Sequence, residues 1–89
     1  MTTHRAEYRI PCDAADQAER IRRALSVEQD GTPARTTVRV TTDGATLVLT
    51  MVSTDARGLR AATNSFLRWA NTALEVDRLA GGKLDTAKA

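Results

Sequence analysis

The sequence has 89 residues, enough for one domain, and its large apolar side chains are scarce: 8 Leu, 6 Val, 2 Ile and 1 Phe stand beside 15 Ala. A single Cys excludes a disulfide within the chain, one Cys and one His are too few for a zinc site, and a net charge of +2 supports only weak binding to nucleic acid. Small domains with so thin a core usually need a disulfide, a metal or a partner chain, so the composition favours a subunit of an assembly over a free-standing enzyme.

The sequence carries no sign of a membrane or secretory segment. Its longest apolar run is far below the ~20 residues of a membrane span, and the N-terminus has no apolar core of a signal peptide. We therefore expect a protein that binds no membrane and is cytoplasmic, or also nuclear if the source is eukaryotic. The chain has 13 basic residues, of which only Lys83 and Lys88 are lysines. Arginine suits interface ion pairs and phosphate contacts, although a GC-rich genome explains the same bias.

The first predicted elements are a strand and a helix. Residues 4–11 alternate, which places Ala6, Tyr8 and Ile10 on one face of a half-buried strand that ends at Pro11. Asp13 is a predicted N-cap, and an amphipathic helix of about three turns follows. Its apolar stripe consists of Ala14, Ala18, Ile21 and Leu25. The segment 28–34 is a predicted loop.

The middle of the chain predicts a β-hairpin. Residues 36–42 and 45–53 alternate on either side of Asp43 and Gly44, a pair typical of a two-residue type I′ turn. With that loop, the predicted register pairs Thr42 with Ala45, Val40 with Leu47 and Val38 with Leu49, which brings the apolar positions together on one face.

The opposite face of the hairpin is mixed. It carries Val48 and Val52 among threonines and one arginine. Two valines on a solvated face are a candidate partner contact, although β-branched residues also favour strands wherever they stand.

The last predicted element is a long helix. Thr54 and Asp55 are candidate caps, and the helix extends to about Ala80, where Gly81 and Gly82 end it. One apolar stripe consists of Leu59, Ala62, Phe66, Trp69, Ala70, Ala73 and Val76. A second stripe includes Leu67 and Leu74, and a three-stranded sheet cannot cover both along the whole length. The surplus is a candidate contact surface for another chain.

A polar strip lies beside these stripes. Arg57, Arg60, Asn64 and Arg68 share one helix face, and Asn64 and Ser65 are poor residues for a helix interior. The strip is either a solvated face or a contact surface for a partner protein or an RNA backbone.

The element order predicts an α+β fold with the order β-α-β-β-α, in which a three-stranded antiparallel sheet has two helices packed on one face. We expect a single domain at residues 4–80 and a disordered tail at 81–89. No catalytic constellation is visible, because Cys12 and His4 have no third group to act with and the carboxylates suit caps and solvated faces. We therefore predict no catalytic residues, no metal and no cofactor.

The run at residues 59–68, LRAATNSFLR, resembles the specific motif of the Pcc1 family, the small subunits of the KEOPS complex. The resemblance extends from Tyr8 to about Arg78. It also includes the strand that ends in Ile10 and Pro11 and the hairpin strand at residues 45–51. The matching motif residues are Arg60, Asn64, Ser65 and Arg68.

The resemblance implies a non-catalytic scaffold. Pcc1-like chains bind a Kae1-like subunit, which transfers threonylcarbamoyl to adenosine 37 of tRNA, and they pair as homodimers or with a Gon7-like partner. The family has also been linked to telomere maintenance, and tRNA contact is expected only within the complex. The candidate interface residues are Val48, Val52, Arg57, Arg60, Asn64, Ser65, Leu67, Arg68 and Leu74. The alternative hypothesis is a small RNA-binding module with an Arg-rich surface.

Overall fold

The computed structural model describes residues 2–32 and 35–81. Its elements are β1 (His4–Pro11), α1 (Ala15–Ser26), a 3₁₀ turn (Gln29–Gly31), β2 (Thr36–Asp43), β3 (Thr46–Ser53) and α2 (Ala56–Leu79). The strands form one antiparallel sheet in the order β1-β3-β2, so β3 is central and β1 and β2 are its edges. The predicted α+β class and element order are confirmed. Of the predicted tail, 82–89 lie outside the described residues.

The core lies between one face of the sheet and the two helices. Leu47, Leu49 and Met51 of the central strand are fully buried there, because each is flanked by both edge strands and covered by the helices. The other buried members of this cluster are Ile21, Leu25, Val38, Val40, Ala62, Phe66, Ala70 and Leu74. Both helices therefore pack on the same face, as the sequence predicts.

The hairpin register differs from the prediction by two residues on β3. Asp43 pairs with Thr46 and Val40 with Leu49, so the loop consists of Gly44 and Ala45. Gly44 has φ +61°, whereas Ala45 has no positive φ, a pattern that fits a type II′ turn with glycine first and not the predicted type I′ turn. A shift of two leaves every side chain on its predicted face, because side chains alternate with a period of two.

The start of α1 also differs from the prediction. The N-cap is Ala14, without a side-chain cap, and Asp13 instead forms an ion pair with Arg78 at 3.1 Å. The Gln17 side chain takes over part of the capping, since its Oε1 accepts from the Asp13 backbone N–H at 2.6 Å. The carboxylate of Asp13 thus connects this end of α1 to the last turn of α2.

An ion pair crosses the back face of the sheet. Arg9 on one edge strand donates to Asp43 on the other at 2.6 Å, so the arginine side chain passes over the central strand. Val48 stands opposite Arg9 in the ladder and is 8% exposed. We call this contact the Arg9–Asp43 clasp, and it explains how an apolar side chain is shielded on a face that no helix covers.

A buried carboxylate joins the two helices. Asp77 is fully buried and accepts two hydrogen bonds from Arg20, at 2.8 and 3.0 Å, and one from Gln17 at 3.0 Å. Arg20 also lies 3.3 Å from the exposed Asp16. The hydrogen bonds from Arg20 to Asp77 raise the pKa of Arg20, so the guanidinium stays protonated. These contacts fix the C-terminal half of α2 against the first turns of α1.

Replacing Asp77 tests this connection. Asp77→Ala leaves Arg20 partly buried without its main partner, so we expect a loss of about 3 kcal/mol in the free energy of unfolding, measured by urea denaturation. Asp16→Ala is the matched control, because it removes an exposed partner of the same arginine, and it should cost far less. Equal losses for the two variants would contradict a special role for Asp77.

Candidate partner-binding surface

The outward face of α2 carries an arginine strip, defined as Arg57, Arg60, Asn64 and Arg68. All four are exposed because α2 is anchored to the core by the opposite side of the helix. The helix begins where Asp55 accepts a hydrogen bond from the Arg57 backbone N–H at 3.0 Å, as predicted. Within the described residues, none of the three arginines forms an ion pair. The strip therefore presents three uncompensated positive charges along about three turns of helix.

An apolar edge flanks this strip. Trp69 is 38% exposed, Val76 42% and Leu79 83%, and their spacing places them along one side of α2. The Trp69 ring meets that of Phe66 edge to face, with centroids 5.1 Å apart, so the tryptophan is held by the core while its outer part meets solvent. Trp69 and Val76 belong to the first apolar stripe of the predicted helix, and part of the two stripes was expected to stay uncovered by the sheet. Leu79 lies outside both predicted stripes and extends the exposed apolar area toward the end of α2.

The remaining α2 candidates are less accessible. Ser65 is half-buried, and Leu67 is half-buried and packs against the core. Leu74 is only 6% exposed and belongs to the core cluster, so its apolar surface is already covered within the chain. We therefore leave Leu74 out of the proposed interface. The second predicted stripe merges with the core because α1 lies beside α2 there.

The two candidates on the sheet have different surroundings. Val48 is shielded by the Arg9–Asp43 clasp, so it offers little surface to a partner. Val52 is half-buried on the same face, between Arg5 and Thr37 of the edge strands. The back face of the sheet thus exposes less apolar area than the two valines in its sequence would indicate.

Asp13, Arg78 and Cys12, which lie near the ends of the helices, form contacts within the fold. Hydrogen bonds from Arg78 lower the pKa of Asp13, which stabilises the ionised carboxylate at neutral pH. Burial raises the pKa of the Cys12 thiol, and its Sγ lies 3.7 Å from the Ile10 carbonyl oxygen. A raised pKa disfavours the thiolate, which is the reactive form of cysteine.

In the described part of the chain, no group of three His, Cys, Asp or Glu side chains is arranged to hold a metal ion. No helix in residues 2–32 and 35–81 combines the length and apolarity needed to cross a membrane.

Known proteins similar to this chain share its sequence pattern and its fold. The family model described as Transcription factor Pcc1 matches residues 5–76. No curated protein sequence matches. Among solved structures, a chain in the crystal structure of the binary complex Gon7-Pcc1 superposes with a TM-score of 0.77 at 23% sequence identity. The superposition covers 86% of this chain and 95% of that chain. At that identity, the likeness shows a common fold.

Truncating two leucines of α2 separates core from surface. Leu74→Ala removes a side chain buried in the core, so we expect a loss of about 2–4 kcal/mol in the free energy of unfolding. Leu67→Ala, at a half-buried position, should cost about 1 kcal/mol. Chemical denaturation of both variants measures the difference. A larger loss for Leu67→Ala would contradict the assignment of Leu74 to the core.

Proposed function

Because the chain belongs to the Pcc1 family, we propose that it is a non-catalytic subunit of the KEOPS complex that binds a Kae1-like subunit. In that complex the Kae1-like subunit transfers threonylcarbamoyl to adenosine 37 of tRNA, and this chain serves as a scaffold. One observation carries the proposal: the family-specific motif residues Arg60, Asn64 and Arg68 stand exposed on one helix face.

The chemistry of this face suits protein contact. Aromatic side chains and arginine are enriched at interface centres, and α2 offers Trp69 beside the arginine strip. The exposed parts of Val76 and Leu79 extend the apolar area along the same helix. A partner helix that presents apolar side chains flanked by carboxylates would match both features. We therefore place the Kae1-like subunit on the apolar edge and arginine strip of α2.

We further propose that the chain pairs with a second small subunit, either an identical chain or a Gon7-like one. The similar structure is described as a Gon7-Pcc1 complex, which supports a Gon7-like partner. The edge strands β1 and β2 are the surfaces of the sheet that can add a strand. A subunit of this kind would act in the cytoplasm, and also in the nucleus if the source is eukaryotic.

Binding to a Kae1-like subunit tests the role of α2. Arg68→Glu reverses a charge at the centre of the proposed contact, so we expect Kd for the Kae1-like subunit to rise at least tenfold. Arg5→Glu is the matched control, since it makes the same change of charge on the sheet and should leave Kd within about twofold. Calorimetric titration of the two variants and the wild type gives the values. Equal rises in Kd for Arg68→Glu and Arg5→Glu would contradict a contact at α2.

Titration with tRNA tests the alternative of an independent RNA-binding module. If Arg57, Arg60 and Arg68 each contact a phosphate, the slope of log K against log salt should be about −2 to −3, and replacing all three with Ala should abolish it. We expect the isolated chain to bind tRNA only weakly at physiological salt. Tight binding without other subunits would favour the RNA-binding module over the scaffold.

A further inference from the structure

Two arginine–carboxylate pairs join the segment around the start of α1 to the last turns of α2. Arg20 of α1 donates through Nε and Nη2 to the two carboxylate oxygens of Asp77, at 2.8 and 3.0 Å. Arg78 of α2 donates through the same two nitrogens to the two oxygens of Asp13, at 3.1 and 3.2 Å. The two pairs share their chemistry and connect the same two parts of the chain, so they differ mainly in their surroundings.

One pair is buried and the other is exposed. The Asp77 side chain is fully buried and that of Arg20 is 14% exposed, whereas those of Arg78 and Asp13 are 54% and 62% exposed. Exposed ion pairs contribute little to stability because water competes for both partners. A buried carboxylate is costly to separate from its donors. The Arg20–Asp77 pair is therefore the one that holds α2 against α1.

The buried pair also fixes a direction. Gln17 adds a third donor to the Asp77 carboxylate at 3.0 Å, and its own Oε1 is held by the Asp13 backbone N–H at 2.6 Å. Hydrogen bonds to both oxygens of a carboxylate define its plane. Leu74, the preceding buried residue of α2, packs through apolar contacts, which have no preferred direction. The rotation of this part of α2 about its axis thus depends on Asp77.

Exposed apolar side chains of the proposed partner surface lie on the same turns of α2. Val76 directly precedes Asp77, and Leu79 follows it by two residues. An α-helix with its side chains has a radius of about 5–6 Å, so a rotation of about 20° displaces its surface by about 2 Å. Binding surfaces need their groups placed within about 0.5 Å. A small rotation of α2 would therefore misalign this surface with a partner.

We propose that Arg20 is a positioning residue for partner recognition: its paired hydrogen bonds to Asp77 set the rotation of α2 and thereby pre-organise the apolar edge and the arginine strip. This inference rests on the proposed binding of a Kae1-like subunit, and it makes that binding depend on a residue of the other helix. Without the paired hydrogen bonds, α2 samples several rotations, of which one fits the partner. The apparent Kd is then the intrinsic Kd divided by the fraction of molecules in that rotation.

Charge-conserving substitutions test the positioning role. Arg20→Lys keeps the positive charge, but an ammonium group is a point charge without the planar geometry that matches both carboxylate oxygens. We expect the association rate constant with a Kae1-like subunit to fall about tenfold, because about a tenth of the molecules stay competent, while the dissociation rate constant is unchanged. Arg78→Lys is the matched control in the exposed pair and should leave both constants within about twofold of the wild type. Surface plasmon resonance measures both constants.

The two rate constants separate positioning from direct contact and from stability. A faster dissociation of Arg20→Lys with unchanged association would identify Arg20 as a direct contact and would overturn the proposal. Leu74→Ala weakens the packing of the same half of α2 and leaves the Arg20–Asp77 pair intact, so its folded molecules should associate at the wild-type rate. Equal slowing by Leu74→Ala and Arg20→Lys would show that affinity follows stability, which would also overturn the proposal.

Trp69 gives a readout of the rotation that needs no partner. It is the only tryptophan in the sequence and stands at the boundary of the core, so a rotation of α2 changes the access of acrylamide to its ring. We expect an altered fluorescence quenching constant for Arg20→Lys in the free chain and the wild-type constant for Arg78→Lys. The same quenching in the wild type and both variants would overturn the fixed rotation.

These measurements distinguish the inference from the proposed function. A wild-type chain that binds no Kae1-like subunit would refute the proposed function, and the quenching of Trp69 would then decide the rotation by itself. A wild-type chain that binds, together with an Arg20→Lys variant that associates equally fast, would refute the positioning role alone.

Discussion

The buried carboxylate of Asp77 is the constraint on which the orientation of α2 depends. A sheet of three eight-residue strands supports only part of a helix that is about 36 Å long, so the C-terminal half needs another anchor. Arg20 and Gln17 provide it from α1. A charged pair with several hydrogen bonds has stricter geometry than apolar packing, so it fixes the rotation of α2 about its axis. That rotation directs the arginine strip outward and leaves Trp69 at the boundary of the core.

The surface features of the molecule lie on different secondary-structure elements. α2 offers an apolar edge with uncompensated arginines, the back of the sheet is mostly polar, and the two sheet edges are protected in different ways. β1 carries charged side chains and Pro11, whereas on β2 the Gln29 side chain accepts a hydrogen bond from the Val40 backbone N–H at 2.9 Å. Of the large apolar side chains that are exposed among the described residues, Trp69, Val76 and Leu79 lie on α2, and Val27 stands at the end of α1.

The strand and helix positions could be predicted from periodicity, because alternation and helical spacing report which side of an element is buried. The predicted hairpin register was wrong by two residues because Asp43 and Gly44 suggest a type I′ turn. The burial pattern could not correct it, because a shift of two residues leaves every side chain on the same face of the sheet. The predicted Asp13 cap was wrong because Arg78, distant in sequence, competes for its carboxylate. The arginine strip could be predicted from helical spacing. The burial of Leu74 could not, because it depends on the position of α1 beside α2. Asp77 stands within the apolar stripe of α2, and that placement was the available sign of a buried pair.

The Arg9–Asp43 clasp also bears on the time between synthesis and assembly. It covers Val48 without help from any other chain, so this apolar side chain is shielded before any partner binds. Non-specific association of unassembled chains would therefore begin at the apolar edge of α2 and not at the back of the sheet.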